Sequence, residues 1–574
     1  MLERWTNGSW ARRLAALATA TMLAACSQGG GFVSYKDGGG TTEPPTEKPA
    51  TKAEASRFLG QSTFGPRDQD IDQLISAGYS NWINNQFAQP YATLLGWFDG
   101  QQLIEEGRSP SQNWLYSGFW RNTAVGTDQL RQRVTYALSQ IFVISLRDGS
   151  VSGNPRGAAD YYDTLTRHAF GNFRNLLQDV TLHPMMGLYL SHMGNQKANP
   201  ESGRVPDENY ARELMQLFTI GLYELNPDGT NRLDGAGQPI ETYSNADVEG
   251  LARVFTGLSW GGPDTQDGRF KGWIKAEHRE IMPMQGYPKY HESGEKRFLG
   301  LTIAPQAGAD PIASVNAALD HLFAHPNVGP FIGKQLIQRL VTSNPSPAYV
   351  ARVAAQFDDN GEGVRGDMRA LVKAILFDPE ARDLAVANMP GFGKLREPVL
   401  RFAHWMRSFY GKSDSGRFLI GNTEDDSNSL GQSVLRSPSV FNYYRPGYVP
   451  PNTEIATQGL VAPEMQITHE TSVAGWLNVM RDVVSSGYGS SRDVKSVYPL
   501  ELALAERPAE LVERINLILM HGAMSNTLRT RVLEVVQSVQ IPFNNPANAD
   551  KARKARVHLA VFLTFASSEY AVLK

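Results

Sequence analysis

The chain has 574 residues, with 55 Lys and Arg against 58 Asp and Glu and a formal net charge of −3. That near balance, with no basic stripe interleaved with aromatics, argues against a nucleic-acid partner. The single cysteine, Cys26, excludes an intrachain disulfide, a Cys-based zinc site and a Cys-x-x-Cys redox pair.

Arg12 and Arg13 precede an apolar run at 14–25 that ends in Leu23-Ala24-Ala25-Cys26. A basic start, an apolar stretch and a small-residue cleavage site mark residues 1–26 as a secretory signal peptide. Leu-Ala-Ala-Cys resembles the bacterial lipobox, whose cysteine is acylated and becomes the mature N-terminus. Cys26 is therefore the expected lipidation site; the plain alternative is a small apolar residue in an ordinary signal. A single acyl chain anchors only marginally, and lipoproteins of this type are expected to be triacylated. Ser27 stands where an aspartate would retain the protein in the inner membrane, which favours the outer membrane, on its periplasmic or surface face. No apolar run of roughly 18 residues follows, so the mature chain has no predicted span.

Residues 27–50 are dominated by Gly, Pro, Thr and charge and read as a disordered tether with a root-mean-square span of about 25–30 Å. Residues 51–574 read as one large, mainly α multi-helix domain with one or two short β-hairpins. Within 128–146, Leu130, Val134, Leu138 and Ile141 fall at helical spacing, with Thr127 as candidate N-cap. Residues 158–192 predict two helices broken near His183-Pro184. The central helix, 206–222, places Glu208, Asn209, Arg212, Glu213 and Gln216 within an arc of about 140°, opposite Tyr210, Leu214, Leu217, Phe218 and Gly221. Asp207 can cap it. Residues 225–243 read as a loop or short hairpin. Ser244 and Asp247 form a capping-box pattern ahead of Val248, Leu251, Ala252 and Phe255. A hairpin is predicted over 287–300, turning around Glu292-Ser293-Gly294-Glu295. Two or three helices follow in 326–377, and three more in 508–573, separated at His521-Gly522 and at 542–546.

Glu208, Arg212 and Glu213 could act as acid, base and orienting cation, with Asn209 beside them. The alternative is a polar network that clamps neighbouring helices, Arg212 being bidentate to a carboxylate. His291, expected on an exposed hairpin next to Glu292, could be a general base or ligand; the alternative is a turn residue bonded to backbone. His183 and His192 could join Glu208 at a divalent metal, and His321 with His325 could share another, yet all four also suit helix ends. Asn226, Asp228, Thr230 and Asp234 vaguely resemble a calcium loop without its terminal Glu. Trp114, Tyr116, Phe119 and Trp120, and Phe441, Tyr443, Tyr444 and Tyr448, could stack sugars or pack the core. No G-x-S-x-G, H-E-x-x-H, Walker A or G-x-G-x-x-G pattern occurs, and 391–394 (GFGK) is only a fragment of a phosphate loop.

The segment DENYARELMQLFTIGLYELNPDG (207–229), followed by TYSNADVEGLARVFTGLSW (242–260), resembles the signature region of the bacterial DUF1800 family. SRFLGQSTFGP (56–66), LRQRVTYALSQIFVIS (130–145), HESGEKRFLG (291–300), HPNVGPFIGKQLIQRLV (325–341) and FASSEYAV (565–572) agree with it. The resemblance covers nearly all of 51–574. It implies a large, mostly helical exported protein of unassigned function, and an exported DUF1501-family protein as partner. Departures are Phe218, where many members have His, Arg121-Asn122, where many have His-rich text, and His291-Glu292 in place of His-Asp. Two functional classes follow: a non-catalytic envelope protein that binds or assembles, or a hydrolase-like enzyme acting on an extracellular or cell-wall polymer. No cofactor is predicted; the histidines leave room for a divalent metal.

Overall fold

The computed structural model describes residues 47–308 and 310–574. The expected signal peptide, its Cys26 lipidation site and most of the expected tether lie outside the described residues. Residues 47–50, read above as the tether's end, are docked: Glu47 O accepts from Tyr79 N at 3.0 Å, Lys48 Nζ donates to Ser76 O at 2.9 Å, and Pro49 is buried.

The fold is mainly α. In the first half, α1 (Lys52–Ser62), α2 (Leu94–Ile104), α3 (Gln112–Val125), α4 (Gln129–Ser139), α5 (Pro155–His168) and α6 (Phe173–Leu182) form a layered bundle in which α2 lies on α3 and α5, and α4 on α5. α7 (Asn209–Glu213) runs into a π-helical turn, Leu214–Thr219, and packs on α8 (Asn245–Val254). α9 (Pro311–Ala324), α10 (Val328–Leu340), α11 (Pro347–Asp358) and α12 (Met368–Phe377) follow, α11 lying between α10 and α12. α13 (Pro398–Ser408) returns to α3. α14 (Glu470–Ser486), α15 (Pro508–Met520), α16 (Asn526–Ser538) and α17 (Pro546–Phe565) form the last group, and α15 reaches back to α1. One continuous hydrophobic cluster joins the two halves, from Phe58 to Tyr570.

Local signals explain several boundaries. α8 begins with a true capping box: Ser244 Oγ accepts from Asp247 N, and Asp247 Oδ2 accepts from Ser244 N at 2.8 Å. α4 is shorter than its apolar spacing suggests. It starts after Asp128, not Thr127, and ends at Ser139 with Gln140 as its C-cap, beyond which Ile141, Phe142, Val143 and Ile144 run buried outside any helix.

Among the described residues strands occur only as short antiparallel pairs: β1 (Leu258–Ser259) with β2 (Gln285–Gly286), β3 (Lys296–Phe298) with β4 (Leu301–Ile303), β5 (Lys394–Leu395) with β8 (Val572–Leu573), and β6 (Lys412–Ser413) with β7 (Val494–Lys495). The predicted hairpin exists later than expected, as β3–β4. Its turn is Leu299-Gly300, with φ of 48° and 78°, the positive pair that a two-residue hairpin turn needs. Leucine is a poor residue for that turn. It is held there by Asp247 Oδ1, which accepts from Leu299 N at 2.7 Å, and by His321 Nε2 against Leu299 O at 2.9 Å.

Buried arginines close the ends of helices. The last carbonyls of a helix have no partner within it. Arg131 donates to Thr166 O in the last turn of α5, Arg339 to Gln140 O after α4, and Arg133 to Arg339 O near the end of α10. The half-buried Arg365 reaches Phe323 O and His325 O at the end of α9, and the half-buried Arg556 reaches Val539 O after α16. Arg396 donates to Tyr570 O and Val572 O beside the β5–β8 pair. Arg407 is 2 % exposed. It donates to Gly65 O at 2.9 Å, faces Ala124 O and Gly126 O at the end of α3, and pairs with Asp70 at 2.8 Å.

Removing a buried, paired charge strands its partners and costs about 3–5 kcal/mol. Arg407→Met should lose that much unfolding free energy in urea. The change Arg232→Met, at an exposed position, should stay within about 0.5 kcal/mol. Equal effects of the two changes would contradict the role given to Arg407.

Candidate functional site

The central helix carries the sharpest chemical pattern in the chain. Asp207 Oδ1 accepts from Asn209 N at 2.8 Å, as a capping residue should. Glu208 and Arg212 pair across one turn at 3.2 Å, with side chains 41 % and 39 % exposed. Asn209 is exposed. Glu213 faces inward: it is buried, its Oε2 has no partner, and burial raises its pKa against the lowering effect of Arg212.

Directly after Glu213 the helix widens to a π-turn. Thr219 Oγ1 donates to Leu214 O, and Ile220 N and Gly221 N both donate to Met215 O. Gly221 ends it with φ of 75°, where a Cβ would lie 2.8 Å from the Phe331 ring. The turn breaks the regular 100° step, so Leu217 is only partly buried whereas Phe218 is fully buried. Tyr243 OH donates to Gln216 Oε1 at 3.2 Å and lies within electrostatic range of Arg212 and Glu213.

His291 corrects an expectation. It is completely buried, not exposed on a hairpin tip, because 291 precedes the strand pair and is inserted against α9. Its Nδ1 sits 2.7 Å from Thr256 O and its Nε2 3.0 Å from Ser314 Oγ, and burial pushes its pKa down to about 4. Gly257 makes room for it: a Cβ there would lie 2.8 Å from His291 N. None of its hydrogen-bond partners lies on α7.

The other histidines are also tied into the fold. His183 accepts Met185 N on Nδ1 and faces Asp160 through Nε2 at 3.2 Å. His192 donates from Nε2 to Thr181 O at 2.9 Å and stacks on Tyr210 at 3.9 Å, away from Glu208. His325 Nδ1 accepts from Asn327 N, whereas His321 holds the hairpin turn, so the two do not share a ligand. Among the described residues no group of three or more His, Cys, Asp or Glu could hold a metal ion. Asp228 and Asp234 each cap their own turn, through Thr230 N and Ala236 N. Trp114, Tyr116, Phe119, Trp120 and Tyr444 are buried, and Arg445 covers Phe441 at 4.6 Å.

Two buried constellations have no counterpart in the sequence reading. Ser56 Oγ lies 2.9 Å from His521 Nδ1, a spacing that suits a nucleophile and its base. Arg396 Nη2 donates to His521 Nε2 at 3.1 Å, however, so Nδ1 carries the proton and donates to Ser56, whose own hydroxyl donates to Leu517 O. That tautomer cannot take a proton from the serine.

The second constellation is a charge cluster. Lys394 pairs with Glu464 at 2.8 Å, at 0 % and 2 % side-chain exposure. Glu397 Oε2 accepts from Gln140 at 2.7 Å, Gln432 at 2.5 Å and Tyr444 OH at 2.8 Å. Arg133 and Arg339 lie within electrostatic range of both carboxylates. A cavity of about 20 Å³ adjoins it, lined by Tyr136, Gln140, Gln432 and Asn442 together with the apolar Ile144 and Val434. That is room for one water and no larger substrate. These residues are scattered from 133 to 464, so no local motif announces them.

The model of a protein family described as "Protein of unknown function (DUF1800)" matches residues 57–572. No curated protein and no solved structure matches the chain.

The neutral, buried His192 sets a pH test. Burial holds its pKa at about 4, whereas an unfolded histidine titrates near 6.5. Its stabilisation is complete above about pH 6.5 and is lost as pH falls towards 4, at up to about 1.4 kcal/mol per pH unit. His192→Phe keeps a ring on Tyr210 and removes the titration. The stability gap between wild type and variant, measured in urea, should shrink steadily from pH 7 to pH 4.5; a constant gap would contradict the assignment.

Proposed function

The chain belongs to the DUF1800 family, whose description assigns no activity, and from that premise we propose that it is a lipid-tethered protein of the bacterial envelope that binds or assembles with another exported protein. Cys26 is the acylated residue and residues 27–46 are the tether. No helix among the described residues is long and apolar enough to cross a membrane, which suits attachment through lipid. Ser27 favours the outer membrane, on its periplasmic or surface face. The resemblance points to a DUF1501-family protein as the partner.

What supports binding over catalysis is that the five nominated side chains do not converge on one site. Glu208 and Arg212 neutralise each other at the surface, Asn209 is exposed, Glu213 faces the core, and His291 is bonded elsewhere. The surface beside α7 suits a partner. Bridges Tyr223↔Glu241, Leu225↔Asn231 and Leu233↔Pro239 stiffen residues 222–242 into a projecting arm. Leu233 is 57 % exposed on it, and Leu222 and Tyr223 are exposed at its base.

A second reading, a hydrolase-like enzyme acting on an extracellular or cell-wall polymer, rests on Glu213. A buried carboxyl with a free oxygen and a raised pKa next to a π-turn is a reasonable proton donor.

Two experiments decide. Metabolic labelling with a fatty-acid probe should mark the chain at Cys26, and Cys26→Ser should abolish both the label and membrane recovery; an unlabelled wild-type chain recovered in the soluble fraction would overturn the tether. Glu213→Gln should leave co-purification of an exported partner unchanged. A fall of about 100-fold or more in polymer turnover would instead establish the second reading.

A further inference from the structure

We propose that the tip of the α16–α17 hairpin inserts into an anionic phospholipid bilayer, the same one that receives the lipid on Cys26. The inference rests on the tether reading above for its geometry. Phe543 is fully exposed at the tip, the most exposed large apolar side chain described, with Ile541 and Pro542 partly exposed beside it.

The chemistry around Phe543 is that of an interfacial anchor. Residues 535–549 contain no charged side chain, so the tip enters the headgroup layer without desolvating an ion. Lys551 and Lys554 follow, one turn apart and both exposed, and neither forms an ion pair among the described residues. Asp550, the nearest acid, is held by Arg553 at 2.7 Å. Two free cations behind an apolar tip match an anionic headgroup layer.

Both flanks of the tip are fastened. Arg556 donates from Nε to Val539 O at 2.9 Å and from Nη1 to Ala505 O at 2.9 Å, fastening the end of α16 to α17 and the preceding loop. Asn545 caps α17 through Asn548 N.

The start of α1, shortly beyond the docked segment 47–50, lies at the base of the same hairpin. Ala53, in the first turn of α1, lies against Gly522 at the base of the hairpin: a Cβ on Gly522 would be 3.0 Å from Ala53 Cβ. α16 is 13 residues long, which puts the tip about 20 Å from that base. Residues 27–46 reach up to roughly 65 Å when extended, so the anchor and the tip can enter one membrane together.

The lone cysteine makes a clean probe. In the full-length chain carrying Cys26→Ser and Phe543→Cys, the only thiol is at the tip and takes a polarity-sensitive fluorophore. With vesicles of phosphatidylglycerol and phosphatidylcholine, its emission should shift to the blue and be quenched by brominated lipid. The same label at Gly237→Cys, on the arm, should do neither. In the Cys26→Ser chain, Phe543→Ser should weaken vesicle partitioning about tenfold, and replacing Lys551 and Lys554 by Gln should remove the preference for anionic over neutral vesicles. Unchanged emission at the tip with every vesicle would overturn the proposal. So would partitioning that Phe543→Ser does not alter, the result expected if the tip instead meets a protein. Because the probe chain lacks the acylation site, failure of the tether and failure of the tip are read separately.

Discussion

Helix ends dictate much of this molecule. A fold built from many helices accumulates unpaired terminal carbonyls, and where those ends are covered by other helices water cannot serve them. A guanidinium suits the need: its planar fork meets two carbonyls together, and its charge opposes the negative end of the helix dipole. Arg131, Arg133, Arg339, Arg396 and Arg407 all take this role while buried. Burial brings Arg396 and Arg407 down to about 10, so both stay charged at neutral pH. The cost of burying the cation is offset only while its carbonyl and carboxylate partners stay in place, which ties distant segments into one unit.

The same logic bears on function. Groups that look chemically able are committed to holding the fold. Arg396, which serves Tyr570 O, also fixes the His521 tautomer and disarms Ser56. Glu397 accepts three side-chain donors on one oxygen. His291 and His192 are neutral struts between backbone segments. The arm at 222–242 and the α16–α17 tip each expose apolar side chains, and both suit contact with something outside the chain.

Much of the architecture was legible from local pattern. The apolar spacing of Val134 and Leu138 and the Ser244–Asp247 box both led to real helices, as did the breaks at His183-Pro184 and His521-Gly522. The failures share a cause, which is that depth is a property of tertiary contact. His291 sits in a Gly- and Glu-rich stretch that reads as surface, yet Thr256 and Ser314 enclose it. The π-turn after Glu213 is absent from any regular wheel, although Leu217 still packs against the core as its spacing predicts. Leu299 is no turn former, and only Asp247 and His321, from separate helices, force it to turn. Lys394 and Glu464 are 70 positions apart, and Arg133 serves a carbonyl at position 339, so neither cluster has a sequence signature.

The most direct measurement is on the guanidinium groups themselves. In protein labelled only at arginine, transferred into heavy water at neutral pH, the Nε–H signals of the interior arginines should be dispersed and persist for hours, while those of exposed arginines vanish at once. Arg407, with Nε bonded to Gly65 O, should be among the slowest. Loss of every arginine signal at the rate of the exposed ones, in a chain that is still folded, would contradict the account.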